Sequence, residues 1–238
     1  MKNILIPSTL EQDTLFSVKA AIKHSAGTHC IITVLLLKEA PDTESASSFL
    51  RNTRQNITQA QQNVLDNCRK TVENAGNCRL DIHNQYGLSA PLLKNLMEYF
   101  SPKLIIIPAS YKQERAIHSY FMELLDNCRI PMLHLTHDYD EQEFNKALYV
   151  EHDETAVTIA ELQQLVNSQF SFKIVSQATV GEKYPAELGS QLTEAIAKNN
   201  IDLVIETRKP TKGKRHKTAT MNEVLGLPVL SIYEDAVV

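Results

Sequence analysis

One strand–helix pattern runs through this chain twice, and its second occurrence is shorter. The run Lys103-Leu104-Ile105-Ile106 is echoed by Ile201-Asp202-Leu203-Val204-Ile205. Ile130-Pro131-Met132-Leu133-His134-Leu135 is echoed by Leu227-Pro228-Val229-Leu230-Ser231-Ile232. Asn3-Ile4-Leu5-Ile6-Pro7 is echoed by Lys146-Ala147-Leu148-Tyr149-Val150. Spacing tests the match. Leu104 to Leu133 is 29 residues and Leu203 to Leu230 is 27, so these ends are equivalent. Ile4 to Leu104 is 100 residues, but Ala147 to Leu203 is only 56. The difference of 44 is about the size of segment 30–75, one strand plus one long helix. The second copy is therefore expected to lack one strand–helix unit.

Within the first copy, Ile4-Leu5-Ile6 predicts a short buried strand. Leu15, Val18 and Ile22 follow at helical spacing, with Gly27 placed to end the helix. Residues 30–37 are a β-branched-rich strand. Ser47 or Ser48 would cap a long helix whose inner face carries Ile57, Val64, Cys68 and Val72, with Gly76 at its end. Residues 78–83 form a weaker strand, suited to an edge. Ser89 caps the next helix, Pro91 fits its first turn, and Leu92, Leu93, Leu96, Met97 and Phe100 make its inner stripe. Leu104–Ile107 is apolar on both faces, as a central parallel strand must be. A helix near 118–127 and a strand at 132–135 complete the copy. The order implies an α/β fold with helices on both faces of a parallel sheet. Right-handed crossovers favour a doubly wound arrangement, with its switch point between the first and fourth strands. In the second copy, strand 172–180 follows a helix at 154–166, and a right-handed crossover sets it beside the 147–150 strand. The polar, acidic stretch 138–143 reads as a linker, giving domains at 1–138 and 144–238.

Composition narrows the class. With 43% hydrophobic residues the chain can bury a real core,. The longest apolar runs, such as 31–37, are far short of the roughly 20 residues that span a bilayer. The first residues show no extended apolar region with a cleavage site, so no signal peptide is expected. Lys+Arg 24 against Asp+Glu 28 gives −4, which argues against coating nucleic acid,. Cys30, Cys68, Cys78 and Cys128 lack any CxxC pair and are expected as reduced thiols in a cytoplasm,. Asn-Cys-Arg occurs three times in unrelated contexts and is read as chance.

The repeat resembles the universal stress protein family, within the adenine nucleotide alpha hydrolase-like folds, and the whole chain resembles a tandem member. Asn3–Pro7 resembles the family's opening strand with its trailing proline. Arg129-Ile130-Pro131-Met132-Leu133 resembles its last strand. Glu206-Thr207-Arg208 stands where the family often has Gly-Thr-Arg, and Thr220–Leu225 resembles the start of its last helix. The resemblance implies two halves joined as an intramolecular pseudo-dimer through strands 132–135 and 229–233. A further homodimer is left open.

Nucleotide-binding members carry an Asp after the first strand and Gly-x2-Gly-x9-Gly-Ser/Thr after the fourth. Glycines let backbone N–H groups approach the phosphates, and a helix N-terminus adds its dipole. The first copy has Thr9 at the Asp position and no glycine between Ala109 and Ser119. ATP binding in the family's manner is therefore not expected there. The second copy has Glu151 at the Asp position, beside His152 and Asp153. Six of its ten Lys/Arg fall within 208–217, and no carboxylate occurs from Thr207 to Asn222. Arg208, Lys209, Lys212, Lys214, Arg215 and Thr218 are thus candidates for an anion or adenine-nucleotide site, with Glu151 or Asp153 on a ribose hydroxyl. A solvated basic loop is the competing reading. Gly213-Lys214 with Thr218 is not a Walker A motif.

His134, His137, Asp138, His152 and Asp153 suit zinc by type. However, His134 and His137 should face opposite sides of a strand, so no metal is assigned. Ser8-Thr9 lacks the glycines of a pyrophosphatase-type loop and reads as a turn or cap. No Gly-x-Ser-x-Gly elbow or Cys/His pairing supports catalysis, so no catalytic residue is assigned. His24, His29 and His118 read as surface or helix-end residues. The expectation is a cytoplasmic protein of stress adaptation that binds a protein partner or small ligand. The alternative is a sensor of a phosphate-bearing ligand, and nucleotide hydrolysis is third. No cofactor, nucleic acid or membrane is expected.

Overall fold

The computed structural model describes residues 2–39, 57–113, 116–137, 144–152, 157–180, 186–209 and 225–234. The first copy contains β1 (Lys2–Pro7), α1 (Asp13–Ser25), β2 (Cys30–Lys38), α2 (Gln59–Ala75), β3 (Cys78–Tyr86), α3 (Ala90–Phe100), β4 (Leu104–Ile107), a 3-10 turn (Ala109–Gln113), α4 (Ala116–Leu125) and β5 (Met132–His134). The second contains β6 (Lys146–His152), α5 (Ile159–Gln169), β7 (Lys173–Val180), α6 (Ala186–Asn199), β8 (Leu203–Arg208) and β9 (Val229–Tyr233).

Among the described residues nine strands join one sheet in the order β3-β2-β1-β4-β5-β9-β8-β6-β7. Every pairing is parallel except β5 with β9, where Leu133 stands opposite Leu230. The chain thus builds a doubly wound half-sheet, then a second with one strand fewer, joined at an antiparallel seam. The switch points fall between β1 and β4 and between β6 and β8, where neighbouring strands depart in opposite directions,. As the crossover rule requires, β7 lies parallel beside β6,.

One face of the sheet buries Ile4, Ile6, Tyr149, Ile205 and Leu230 beneath α1, α2 and α5, continuously across the seam. The opposite face is split. Leu5, Ile105 and Ile107 pack under α3 and α4. Leu148, Val150 and Val204 pack with Leu192 of α6. β4 is buried at all four positions, which explains its unbroken apolar sequence,.

Helix boundaries follow their caps. In α2, the Thr58 side chain accepts the Gln61 N–H while Gln61 reaches back to the Thr58 N–H, a complete capping box,. Thr158 and Glu161 do the same for α5, which therefore starts at Ile159. The inner face of α2 is Leu65, Cys68 and Val72. This corrects the expectation for Ile57, which precedes the cap and is exposed. Ser47 and Ser48 lie outside the described residues. Ser89 caps α3 as expected, accepting the Leu92 N–H. Gly76 ends α2 at φ 71°, a conformation that suits glycine,. α1 ends at Ser25, and Ala26 and Gly27 after it both turn left-handed, at φ 48° and 78°, with Gly27 just past the cap as expected.

Candidate functional site

In an open α/β sheet, ligands bind beyond the carboxyl ends of the strands at a switch point. The first switch point is filled by the chain itself. After β1, Ser8 and Thr14 are buried, and their hydroxyls lie 2.7 Å apart. Ser8 Oγ also accepts the Leu10 N–H at 2.8 Å, so Ser8 makes the turn its sequence suggested,. This bond holds Leu10 buried at φ 64°, a left-handed conformation costly for a leucine,. The Thr9 carbonyl accepts a hydrogen bond from Gln61 of α2.

The loop after β4 closes the other side. Asp13, in the first turn of α1, accepts from the Ser110 N–H and the Ser110 hydroxyl, each at 2.8 Å. A backbone amide beyond β4 is what a bound phosphate would seek. Here a protein carboxylate holds it. The next residue, Tyr111, is wholly buried, its ring 4.6 Å from His118 and 6.0 Å from Phe121. Burial pushes its phenol above the usual range. The phenolic oxygen itself has no hydrogen-bond partner among the described residues. His118 is buried on α4 beside this ring, which corrects its reading as a surface or helix-end residue. His24 is half-buried near the end of α1, with its ring 4.9 Å from Phe170.

The second switch point is described in part. Glu151, at the end of β6, accepts from Gln177 Nε2 at 2.7 Å and from Thr179 Oγ1 at 3.5 Å, both on β7. Lys209 follows β8 and places its Nζ 4.0 Å from the Glu234 carboxylate. Asp153, Lys212, Lys214, Arg215 and Thr218 lie outside the described residues.

Arg208 differs from its expected place in a basic loop. It is the last residue of β8, 5% exposed, and points across the seam. Its guanidinium donates to the carbonyls of Leu125, Cys128 and Ile130 at 3.1, 2.7 and 2.5 Å. It also lies over the Tyr233 ring, 5.7 Å from the centroid. Leu125 ends α4, so the cation sits at the negative end of that helix's dipole and shares the Leu125 carbonyl with the Cys128 N–H, 2.8 Å away,. Burial lowers the pKa of Arg208 from its ordinary value, but a guanidinium stays charged,. Its hydrogen bonds are spent on joining the two halves.

Among the described residues, no three His, Cys, Asp or Glu side chains gather closely enough to hold a metal. Asp138 and Asp153, considered for one, lie outside those residues. No described helix is long and apolar enough to cross a membrane.

No protein-family model matches the sequence, and no curated protein matches it. Solved structures do. A universal stress protein from Archaeoglobus fulgidus DSM 4304 superposes with a TM-score of 0.61 at 10% identity, covering 98% of each chain. A putative universal stress protein from Pseudomonas aeruginosa UCBPP-PA14 gives 0.51 at 11% identity, over 100% of this chain and 95% of that one. A functionally unknown protein from Pseudomonas aeruginosa PAO1 gives 0.50 at 10% identity, over 100% and 94%. The fold is that of the universal stress proteins, over nearly the whole chain.

Proposed function

We propose that this chain is a universal-stress-type protein that acts in stress adaptation by binding a protein or small ligand, without ATP held in the family's manner. One observation carries this reading: Asp13, Ser110 and Tyr111 occupy the β1/β4 switch point with the chain's own carboxylate and ring. A nucleotide there would have to displace a charged, doubly bonded carboxylate and a buried aromatic side chain. One fold hosts many functions, so the residues at the switch point carry this reading.

On the same reading, residues 1–138 and 144–238 are tandem domains forming an intramolecular pseudo-dimer in the cytoplasm. The repeated strand order and the antiparallel β5–β9 seam support the pairing. A second reading keeps a phosphate-bearing ligand at the shorter half. What favours it is Glu151 and Lys209, set at the carboxyl ends of neighbouring β6 and β8.

Native mass spectrometry of freshly purified protein, followed by titration with ATP, separates the two. The first reading expects no co-purified nucleotide and no mass shift with ATP. A nucleotide near one per chain, lost in the triple variant K212A/K214A/R215A, would overturn it and establish the second.

A further inference from the structure

β2 and β3 both begin with a cysteine, and the register sets Cys30 directly opposite Cys78. Paired strands lie about 4.8 Å apart. Disulfide-bonded Cα atoms lie about 4.4–6.8 Å apart, so the backbone already has the required spacing. Directly paired residues project to the same face, and both cysteines pack into the same core layer between the sheet and its helices,. Both are free thiols.

The two sulfurs differ in access. Cys30 is 3% exposed. Cys78 is half-buried on the edge strand β3, with Ser25 Oγ 3.7 Å from its sulfur and Asn77 Oδ1 at 3.6 Å. Asn77 also bonds Ser25 Oγ and the Thr28 carbonyl, which fixes this polar rim. The remaining cysteines lie elsewhere. Cys68 is fully buried on α2, and Cys128 sits in the loop after α4 with its sulfur toward the Leu124 carbonyl.

We propose that Cys30 and Cys78 form a redox-active dithiol that closes to a disulfide by exchange with a small-molecule disulfide. The Cys78 thiolate attacks one sulfur of the reagent, forming a mixed disulfide and expelling one thiolate. The Cys30 thiolate then attacks the Cys78 sulfur and expels the second. The cysteines lose two electrons and two protons, and the reagent leaves as two thiols. The order follows from burial. Burial and the Cys78 thiol push Cys30 up to about 12, so it is protonated at rest and not the first nucleophile,. Once Cys78 is a neutral mixed disulfide its repulsion of a Cys30 thiolate is gone, while the charge of Lys2, which lowers the Cys30 pKa, remains. Lys2 sits opposite Cys30 on β1.

The test treats the folded, reduced full-length protein with oxidised glutathione, blocks the remaining thiols and maps cysteines by peptide mass spectrometry. The expected product has two titratable thiols fewer and a peptide joining Cys30 to Cys78. C30S should stop at a glutathione adduct on Cys78. C78S should leave Cys30 unmodified under the same treatment. Four free thiols after treatment would overturn the proposal. So would a lasting adduct on Cys78 in the unaltered chain, or a link to Cys68 or Cys128.

Discussion

Replacing Arg208 with methionine tests whether one side chain holds the seam together. Methionine keeps most of the apolar stem and deletes the guanidinium. The carbonyls of Cys128 and Ile130 then lose their side-chain donor, while that of Leu125 keeps only the Cys128 N–H. A hydrogen bond from a charged group contributes about 1.5–3 kcal/mol. Three bonds to one guanidinium are not additive, and removing the buried cation returns part of its desolvation cost. The net loss expected is about 3 kcal/mol, a large share of the roughly 5–15 kcal/mol that holds a typical domain. Urea unfolding followed by circular dichroism reads it directly. In thermal melts the same loss should lower Tm by roughly 6–12 °C for a chain of this size. Arg208→Lys discriminates further. An ammonium on a flexible stem cannot serve three divergent carbonyls as a planar fork can, so about half the loss should remain. If Arg208→Met unfolds within ~0.5 kcal/mol of the unaltered protein, the guanidinium does not hold the seam and the argument fails.

Two further outcomes follow from buried polar groups. Burial and the charge of Lys2 hold His24 down to about 4, against 6.5 for an ordinary histidine. The unfolded chain therefore takes up a proton near pH 6.5 that the folded chain refuses until about pH 4,. Stability is full above pH 6.5 and falls as pH drops through that window, by about 2 kcal/mol once partial solvent contact is discounted. The difference in unfolding free energy between pH 7 and pH 5 should shrink in His24→Phe, and an unchanged slope would refute the assignment. Tyr111 buries a hydroxyl without a partner among the described residues, so Tyr111→Phe should leave stability unchanged or raise it by about 1 kcal/mol in urea unfolding,. A loss above that size would mean the hydroxyl has a partner.

Sequence legibility divides along the range of the forces involved. The strand order, the shortened half and the β6–β7 neighbourhood were readable, because short apolar runs mark strands and crossover handedness limits their order. Thr58 and Thr158 were readable in principle too: each stands three residues before a Gln or Glu, the capping-box spacing,. Arg208 was not. In one dimension it opens a basic run and reads as solvated. Its burial arises only when β9 and the loop after α4 meet over the end of β8. Tyr111 and His118 failed for a related reason. Missing glycines signal what the loop after β4 cannot do, but not that a 3-10 turn there folds its tyrosine inward. Asp13 and Ser110 are 97 residues apart, and only the switch-point geometry brings them together.

The place of the lost unit follows from the same geometry. In the longer half, β3 covers the outer edge of β2 over nine paired residues from Cys30 to Lys38. The shorter half has no such cover among the described residues, so β7 stands at the end of the sheet. Removing an inner strand would have destroyed the β6/β8 switch point or the seam. Removing an outer one leaves both in place but bares a row of backbone donors and acceptors, which invites pairing with another chain. β7 answers this with a register shift at its start, where the pairing passes from Ala147–Ile174 to Leu148–Ser176 and Val175 is left over and exposed. Such a bulge twists an edge and spoils it as a template. Lys173, Gln177 and Thr179 keep the rest of the edge polar, and two of them hold Glu151 in place. The strand that blunts the sheet's exposed end therefore also orients the carboxylate at the second switch point.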